Sequence, residues 1–254
     1  MDKIKPGHIN ENDPFAYLKE FTAARIGIGR TGASIPLKQS LAFKLAHAHA
    51  RDAVYSELDT DKLSEELKQF ELPVLQLHSQ AAYREQYLQR PDLGRQLNEE
   101  SVETLGGYDN YDIAIIIADG LSANAVNSNA IALLKILIPQ LQSAELKFAP
   151  VCLVKQGRVA VADDIGMHLK AKLSLILIGE RPGLSSADSV GAYITFNPQT
   201  GLTDESRNCI SNIRAHGLSF RSASKKIFYL VQEAFKRKLS GVGLKDNAGL
   251  LSEP

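Results

Sequence analysis

Four short segments carry the residue types from which a binding site is built: Asp119-Gly120-Leu121-Ser122, Lys155-Gln156-Gly157-Arg158-Val159, the glycine-rich stretch 179–186, and the polar stretch 207–214. Glycines let a ligand come close to the backbone, and the amides, hydroxyls and carboxylates beside them offer directed hydrogen bonds. A rim of this kind suits a broad, neutral, amide-rich ligand better than a compact anion. Each segment also has a plainer use. Asp119 can cap the helix that follows it. Glu180 and Arg181 can form a surface ion pair, Cys209 can be a small buried thiol, and Asn208 and Asn212 can satisfy turn backbone.

Other chemistries fare worse. Gly27, Gly29 and Gly32 match the dinucleotide fingerprint GxGxxG, and Asp52 follows at about the 20-residue distance expected of a ribose-binding acid. That motif needs a strand before it, a helix after it and a second strand ending in the acid. Here 37–55 reads as one helix, leaving no room for the second strand. A loop that packs against a partner is the better reading of 27–32. His47 and His49 lie two apart on that helix and point to different faces, so they cannot easily share an ion. His78, His168 and His216 are scattered. There is no GxSxG elbow and no Walker loop. Cys152 and Cys209 are too few and too far apart for a disulfide framework or a zinc site, and read as reduced thiols of a cytosolic protein.

The elements that must position these segments follow from periodicity. Residues 36–58 place Leu37, Leu41, Leu45, Ala48 and Ala53 near a helical repeat, with Ser34 a candidate N-cap before Pro36. Residues 61–70 and 80–89 read as two more amphipathic helices on either side of Pro73. After Gly106 and Gly107 the texture changes. Residues 112–118 form a continuous run rich in β-branched side chains, as expected of a strand buried on both faces. A helix over 122–141 follows, then a strand within 148–154, a helix over 161–170, and strands over 173–178 and 192–196. Such alternation predicts right-handed crossovers and a parallel sheet. A last amphipathic helix, 222–239, turns Ile227, Val231, Ala234 and Phe235 inward and stops near Gly241. The expected fold is α/β: a helical N-terminal region, 1–105, packed on a Rossmann-like domain, 106–254. Ligands of open parallel sheets settle at the carboxyl ends of the strands, and all four polar segments are expected on that edge.

Composition narrows the class. The 29 Lys and Arg balance the 29 Asp and Glu over 254 residues, which argues against nucleic acid as a partner. No apolar run approaches the roughly 20 residues that cross a bilayer, and the polar opening 1–12 lacks a secretory stretch. Loops so rich in binding groups, without acid–base machinery, suggest a binding partner more than a self-sufficient enzyme. An independent oxidoreductase and a purely structural scaffold are the competing classes.

The segments 24–32, 51–54, 119–122, 179–186 and 207–213 resemble the small subunit (light chain) of ethanolamine ammonia-lyase, in order from about Ala24 to Gly243. The resemblance implies a subunit of a carbon–nitrogen lyase that converts ethanolamine to acetaldehyde and ammonia with adenosylcobalamin. In that family a TIM-barrel large subunit holds the substrate, cobalamin lies between the two subunits, and the assembly is a higher hetero-oligomer. Cofactor contacts carry over to Val159, Glu180 and Cys209, and no catalytic or metal-ligating residue is implied in this chain. Val159 offers apolar or main-chain contact, Glu180 accepts hydrogen bonds from the cofactor's amides or ribose hydroxyl, and Cys209 packs close to it. The Asp-x-His-x-x-Gly pattern that puts an imidazole on cobalt is absent, so the cofactor is expected to keep its own dimethylbenzimidazole on the metal. The family's ethanolamine pathway suggests the cytoplasm, within a bacterial microcompartment. Ala46, where the family often has an acid, and Asn124 and Asn127 depart from its pattern, and bear on the subunit contact.

Overall fold

The computed structural model describes residues 16–22 and 24–246; the polar opening 1–12 lies outside them. Helix α1 (Leu37–Val54) follows Pro36, whose extended ψ of 140° prevents an earlier start. Ser34 is therefore not its cap. It closes a turn with Thr31 instead, the two residues exchanging backbone hydrogen bonds of 2.8 and 3.1 Å. Helix α2 (Thr60–Leu67) is capped by Asp59, which accepts from the Lys62 N–H at 3.0 Å. Leu63 and Leu67 of α2 are fully buried.

Strand β1 (Val74–His78) comes next, then α3 (Arg84–Gln89) and α4 (Glu99–Thr104). Reading 1–105 as helical omits β1. Its few residues after Pro73 carry too little periodicity to announce a strand, and pairing decides it: Val74 to His78 align with Val151 to Lys155. The chain continues through β2 (Tyr111–Ala118), α5 (Ala123–Ser143), β3 (Val151–Lys155), α6 (Val161–His168) and β4 (Ala171–Gly179). It ends with β5 (Val190–Phe196), β6 (Asn208–Ile213) and α7 (Phe220–Arg237). Ser219 caps α7, and Lys238 in the left-handed region (φ 57°) stops it ahead of Gly241.

The sheet order is β1-β3-β2-β4-β5-β6. The first three neighbouring pairs are parallel, whereas β4–β5 and β5–β6 are antiparallel. A wholly parallel sheet is thus corrected at β5. The connection 180–189 contains no helix, and a parallel return needs a long crossover. Segment 207–214, read as a loop, is mostly the edge strand β6.

Two cores sandwich the sheet. Ile115, Ile117, Leu175 and Ile194 pack with Leu133, Leu137 of α5 and Ile227, Val231 of α7. On the opposite face Ala114, Ile116, Cys152 and Ile176 pack with Val161 and Ile165 of α6. Burying this much apolar surface is what holds the layers together. The adjacent strands β2 and β3 then send their chains to opposite faces, β2 into α5 and β3 into α6. Their carboxyl ends form the crevice at which open α/β sheets bind ligands. Helix α1 behaves differently: its stripe Leu37, Leu41 and Leu45 is 73%, 55% and 58% exposed, and only Ala53 is buried. Among the described residues no helix is long and apolar enough to cross a membrane.

Candidate functional site

At the crevice the β2–α5 and β3–α6 loops meet on one carboxylate. Asp119 is buried and accepts hydrogen bonds from the backbone N–H groups of Gly120 (2.8 Å), Gln156 (2.8 Å) and Gly157 (3.0 Å). Burial pushes its carboxyl above the ordinary range, against the pull of those N–H groups and of Arg84. Asp119 is not the helix cap; Ser122 occupies that position. Gln156 takes a left-handed φ of 56°, which a non-glycine residue adopts only where its surroundings hold it. Gly157 has no room for a side chain, since a Cβ there would lie 3.0 Å from that of Ala118. The loop that carries Val159 is therefore fixed by a neighbouring strand end.

Beneath it lies a cluster that the sequence reading did not single out. Tyr87 of α3 is fully buried, with the guanidinium of Arg84 4.6 Å from its ring centroid and that of Arg158 4.2 Å away. Its hydroxyl donates to the Gly157 carbonyl at 3.3 Å. Burial raises its pKa further, although both arginines favour the phenolate. The spacing of Arg84 and Tyr87, one helical turn apart, is the only local sign of this arrangement.

Beyond β4 only Glu180 and the Asn212 end of β6 reach the carboxyl edge; Cys209 lies near the amino end of β6, level with Ile176 of β4, so the polar segments do not all share that edge as expected. On β6 Ile210 and Ile213 point into the core while Cys209 and Ser211 face solvent, the Cys209 Sγ and Ser211 Oγ 3.2 Å apart. Cys209 is thus an exposed free thiol, unlike the buried Cys152. Opposite Cys209 in register stands Tyr193 of β5, on the α6 face of the sheet and half-buried. The Tyr193 hydroxyl titrates above the usual phenol range, chiefly through burial and then through its hydrogen bond with Cys209 and the charge of Glu180.

Glu180, just beyond β4, bends over the same face. Its Oε2 accepts from the Ser189 hydroxyl and from the Asn212 N–H at 3.2 Å. These partners replace the expected ion pair with Arg181. A Cβ on Gly191 would meet Tyr193 Cε2 at 3.0 Å and Glu180 Oε1 at 3.2 Å, so glycine there is what lets the carboxylate and the ring approach one another. Val159 packs on the α6-side core with Tyr193 and borders a cleft of about 600 Å³ shared with Arg158, Thr203 and Asp204. The three residues singled out by resemblance therefore fall on one side of the sheet, Glu180 and Cys209 on either side of Tyr193 and Val159 on the loop toward α6.

Not every polar residue of the motifs serves this face. Arg207 is buried against Asp163, with its Nη1 2.8 Å from Asp204, and holds the start of β6. Asn208 donates to the carbonyls of Gly241 (3.1 Å) and Leu244 (2.8 Å), tying down the segment after α7. Asn127, one of the departures from the family pattern, joins α5 to the α1–α2 connection by donating to Glu57 O (2.9 Å) and accepting from Asp59 N–H (3.1 Å). Residues 27–32 form an irregular loop with, among the described residues, neither a strand before it nor a helix at Gly32, so the dinucleotide fingerprint lacks its structural context.

A family model described as "Ethanolamine ammonia-lyase light chain (EutC)" matches residues 12–245. Relatives named ethanolamine ammonia-lyase small subunit share about half of the sequence. One from Pseudomonas aeruginosa is 52% identical over 252 residues, spanning 97% of this chain and 92% of its own length. One from Pseudomonas fluorescens is 49% identical over 245 residues, spanning 94% and 89%. A third, from Pseudomonas syringae pv. tomato, is 50% identical over 243 residues, spanning 94% and 85%.

Proposed function

Because this chain belongs to the ethanolamine ammonia-lyase light-chain family, and so is a subunit of that lyase, we propose that it holds adenosylcobalamin against a catalytic large subunit. What supports this reading is that Val159, Glu180 and Cys209 lie on the α6 side of the sheet, about Tyr193 and the loop into α6. The donor set fits a large neutral cofactor edged with amides. Glu180 keeps acceptor capacity on Oε1, because only Oε2 is engaged by Ser189 and Asn212. Cys209 and Ser211 offer small, exposed groups, and Val159 and Tyr193 supply apolar surface beside them. Gly191 leaves room where any side chain would intrude.

In this reading Glu180 accepts from the cofactor's amides or ribose hydroxyl, Val159 gives apolar and main-chain contact, and Cys209 packs against the corrin edge. When bound, adenosylcobalamin supplies homolysis of its cobalt–carbon bond, the origin of the hydrogen abstraction that turns ethanolamine into acetaldehyde and ammonia. This chain's residues orient it, and the substrate site belongs to the large subunit, a TIM barrel. Region 106–254 supplies the cofactor face and region 1–105 the subunit contact, with β1 lent to the sheet. The outward stripe Leu37, Leu41 and Leu45 supports that division, since exposed apolar surface at helical spacing favours a covering partner. The working enzyme is a higher hetero-oligomer of the cytoplasm, inside a bacterial microcompartment.

The test is to co-express both subunits, purify the complex and titrate it with hydroxocobalamin, following absorbance. Glu180→Ala is expected to weaken binding roughly tenfold or more, the scale of a lost charge-assisted hydrogen bond, with little change in melting temperature. Equal affinity in the variant and the parent would sink the proposal.

A further inference from the structure

We infer that Arg84 is a positioning residue for the lyase reaction, setting the loop 155–159 on which Val159 meets the cofactor. This rests on the reading of Val159 given above. The Arg84 side chain is 11% exposed and reaches three separate segments. Its Nε donates to the carbonyl of Val54 at the end of α1, 2.6 Å away. Its Nη1 donates to the carbonyl of Gly120 on the β2–α5 loop at 2.9 Å and to Gln156 Oε1 on the β3–α6 loop at 3.2 Å. The same nitrogen is 3.8 Å from Asp119 Oδ2, the carboxylate that holds the Gln156 and Gly157 N–H groups.

Gln156 is thus held from both sides while in a left-handed conformation that costs about 1 kcal/mol or more on its own. Its main chain is held by Asp119 and its side chain by Arg84. The loop is gripped once more at Arg158, whose N–H donates to Gly94 O at 2.7 Å and whose Nη2 donates to the Tyr87 carbonyl at 2.9 Å. Arg84 Nη2 and Arg158 Nε are buried without a hydrogen-bond partner. Here the two guanidinium carbons lie 4.6 and 4.2 Å from the Tyr87 ring centroid, and that placement sets the loop. A lysine, with one compact ammonium, cannot span Val54, Gly120 and Gln156 together.

The experiment uses the complex of both subunits, with hydroxocobalamin as the binding probe. Arg84→Lys is expected to weaken hydroxocobalamin binding about tenfold, the scale of one hydrogen bond to a charged group, while leaving the KM for ethanolamine unchanged. Gln156→Ala removes the side-chain half of the grip without a buried charge, and is expected to shift affinity in the same direction by a smaller factor at an unchanged melting temperature. Glu180→Ala is measured alongside. If it weakens binding while Arg84→Lys and Gln156→Ala lower only the melting temperature or nothing, Arg84 is merely structural and the inference is overturned. If Glu180→Ala itself leaves affinity intact, the cofactor face is misplaced, and the inference falls with it.

Discussion

Two regions of the sheet, the carboxyl ends of β2 and β3 and the α6 face of β4, β5 and β6, are built on opposite principles. At the β2–β3 ends the polar groups are spent within the chain: Asp119 takes three N–H groups, Arg84 spans three segments, and Tyr87 has two guanidiniums over its ring. On the β4–β5–β6 face Glu180 is only partly engaged, and Cys209 and Ser211 face outward. The difference shows how a rigid site is made from mobile parts of a sequence. Closed polar clusters lose their capacity to bind but gain a defined geometry, and open ones beside them inherit that geometry.

The comparison can be broken most directly at Asp119. Replacing it with alanine strands three buried N–H groups beside Arg84, and the expected loss is about 3–5 kcal/mol at 1–3 kcal/mol for each unmet donor, tempered by water entry. Urea unfolding measures it. A loss below about 1 kcal/mol would mean that the closed region is not held by this carboxylate. Gly191→Val tests the open region. A branched side chain would press on Tyr193 and Glu180, and cobalamin affinity of the complex is expected to fall roughly tenfold, about 1.4 kcal/mol. The melting temperature should move little, and the reverse pattern would make the open region structural too.

The smallest effect is expected far from both, at the opposite end of β2. Partial burial alone would raise the Asp112 pKa, but Lys172, 2.8 Å away, and the Lys147 N–H more than offset it, so the carboxyl lies below its usual range. A carboxyl depressed in the folded state stabilises above its unfolded pKa, and that contribution disappears as pH falls through the folded value. Asp112→Asn should therefore cost less than about 1 kcal/mol near pH 7, as for other exposed pairs. The difference should shrink from neutral toward strongly acid pH, as the carboxyl is protonated. Melting curves at neutral and strongly acid pH decide it, and a gap that persists in acid would point to packing instead of charge.

Much of the site was legible because its signals are local. The β-branched run of β2, the glycines at 120, 157 and 179, and the strings around Glu180 and Cys209 are each read within a few neighbouring residues, and together they point to an α/β fold and to a family. Tyr193 was read only as part of a strand, since nothing local says that a bend at Glu180 and a gap at Gly191 will bring a carboxylate beside it. The same limit hid β1, which becomes a strand only by pairing with β3.

By itself, then, the amino-acid order determined the long helices, the central strands and the membership of three candidate residues in recognisable motifs, though not α4 or the late start of α3, because periodicity and motif spacing are properties of near neighbours. Tertiary structure alone decided the antiparallel return at β5, the outward turn of the α1 leucines, and the meeting of Arg84 with Asp119 and Gln156. Those depend on which distant surfaces bury one another and which buried charges find partners, and no window along the chain contains both members of such a pair.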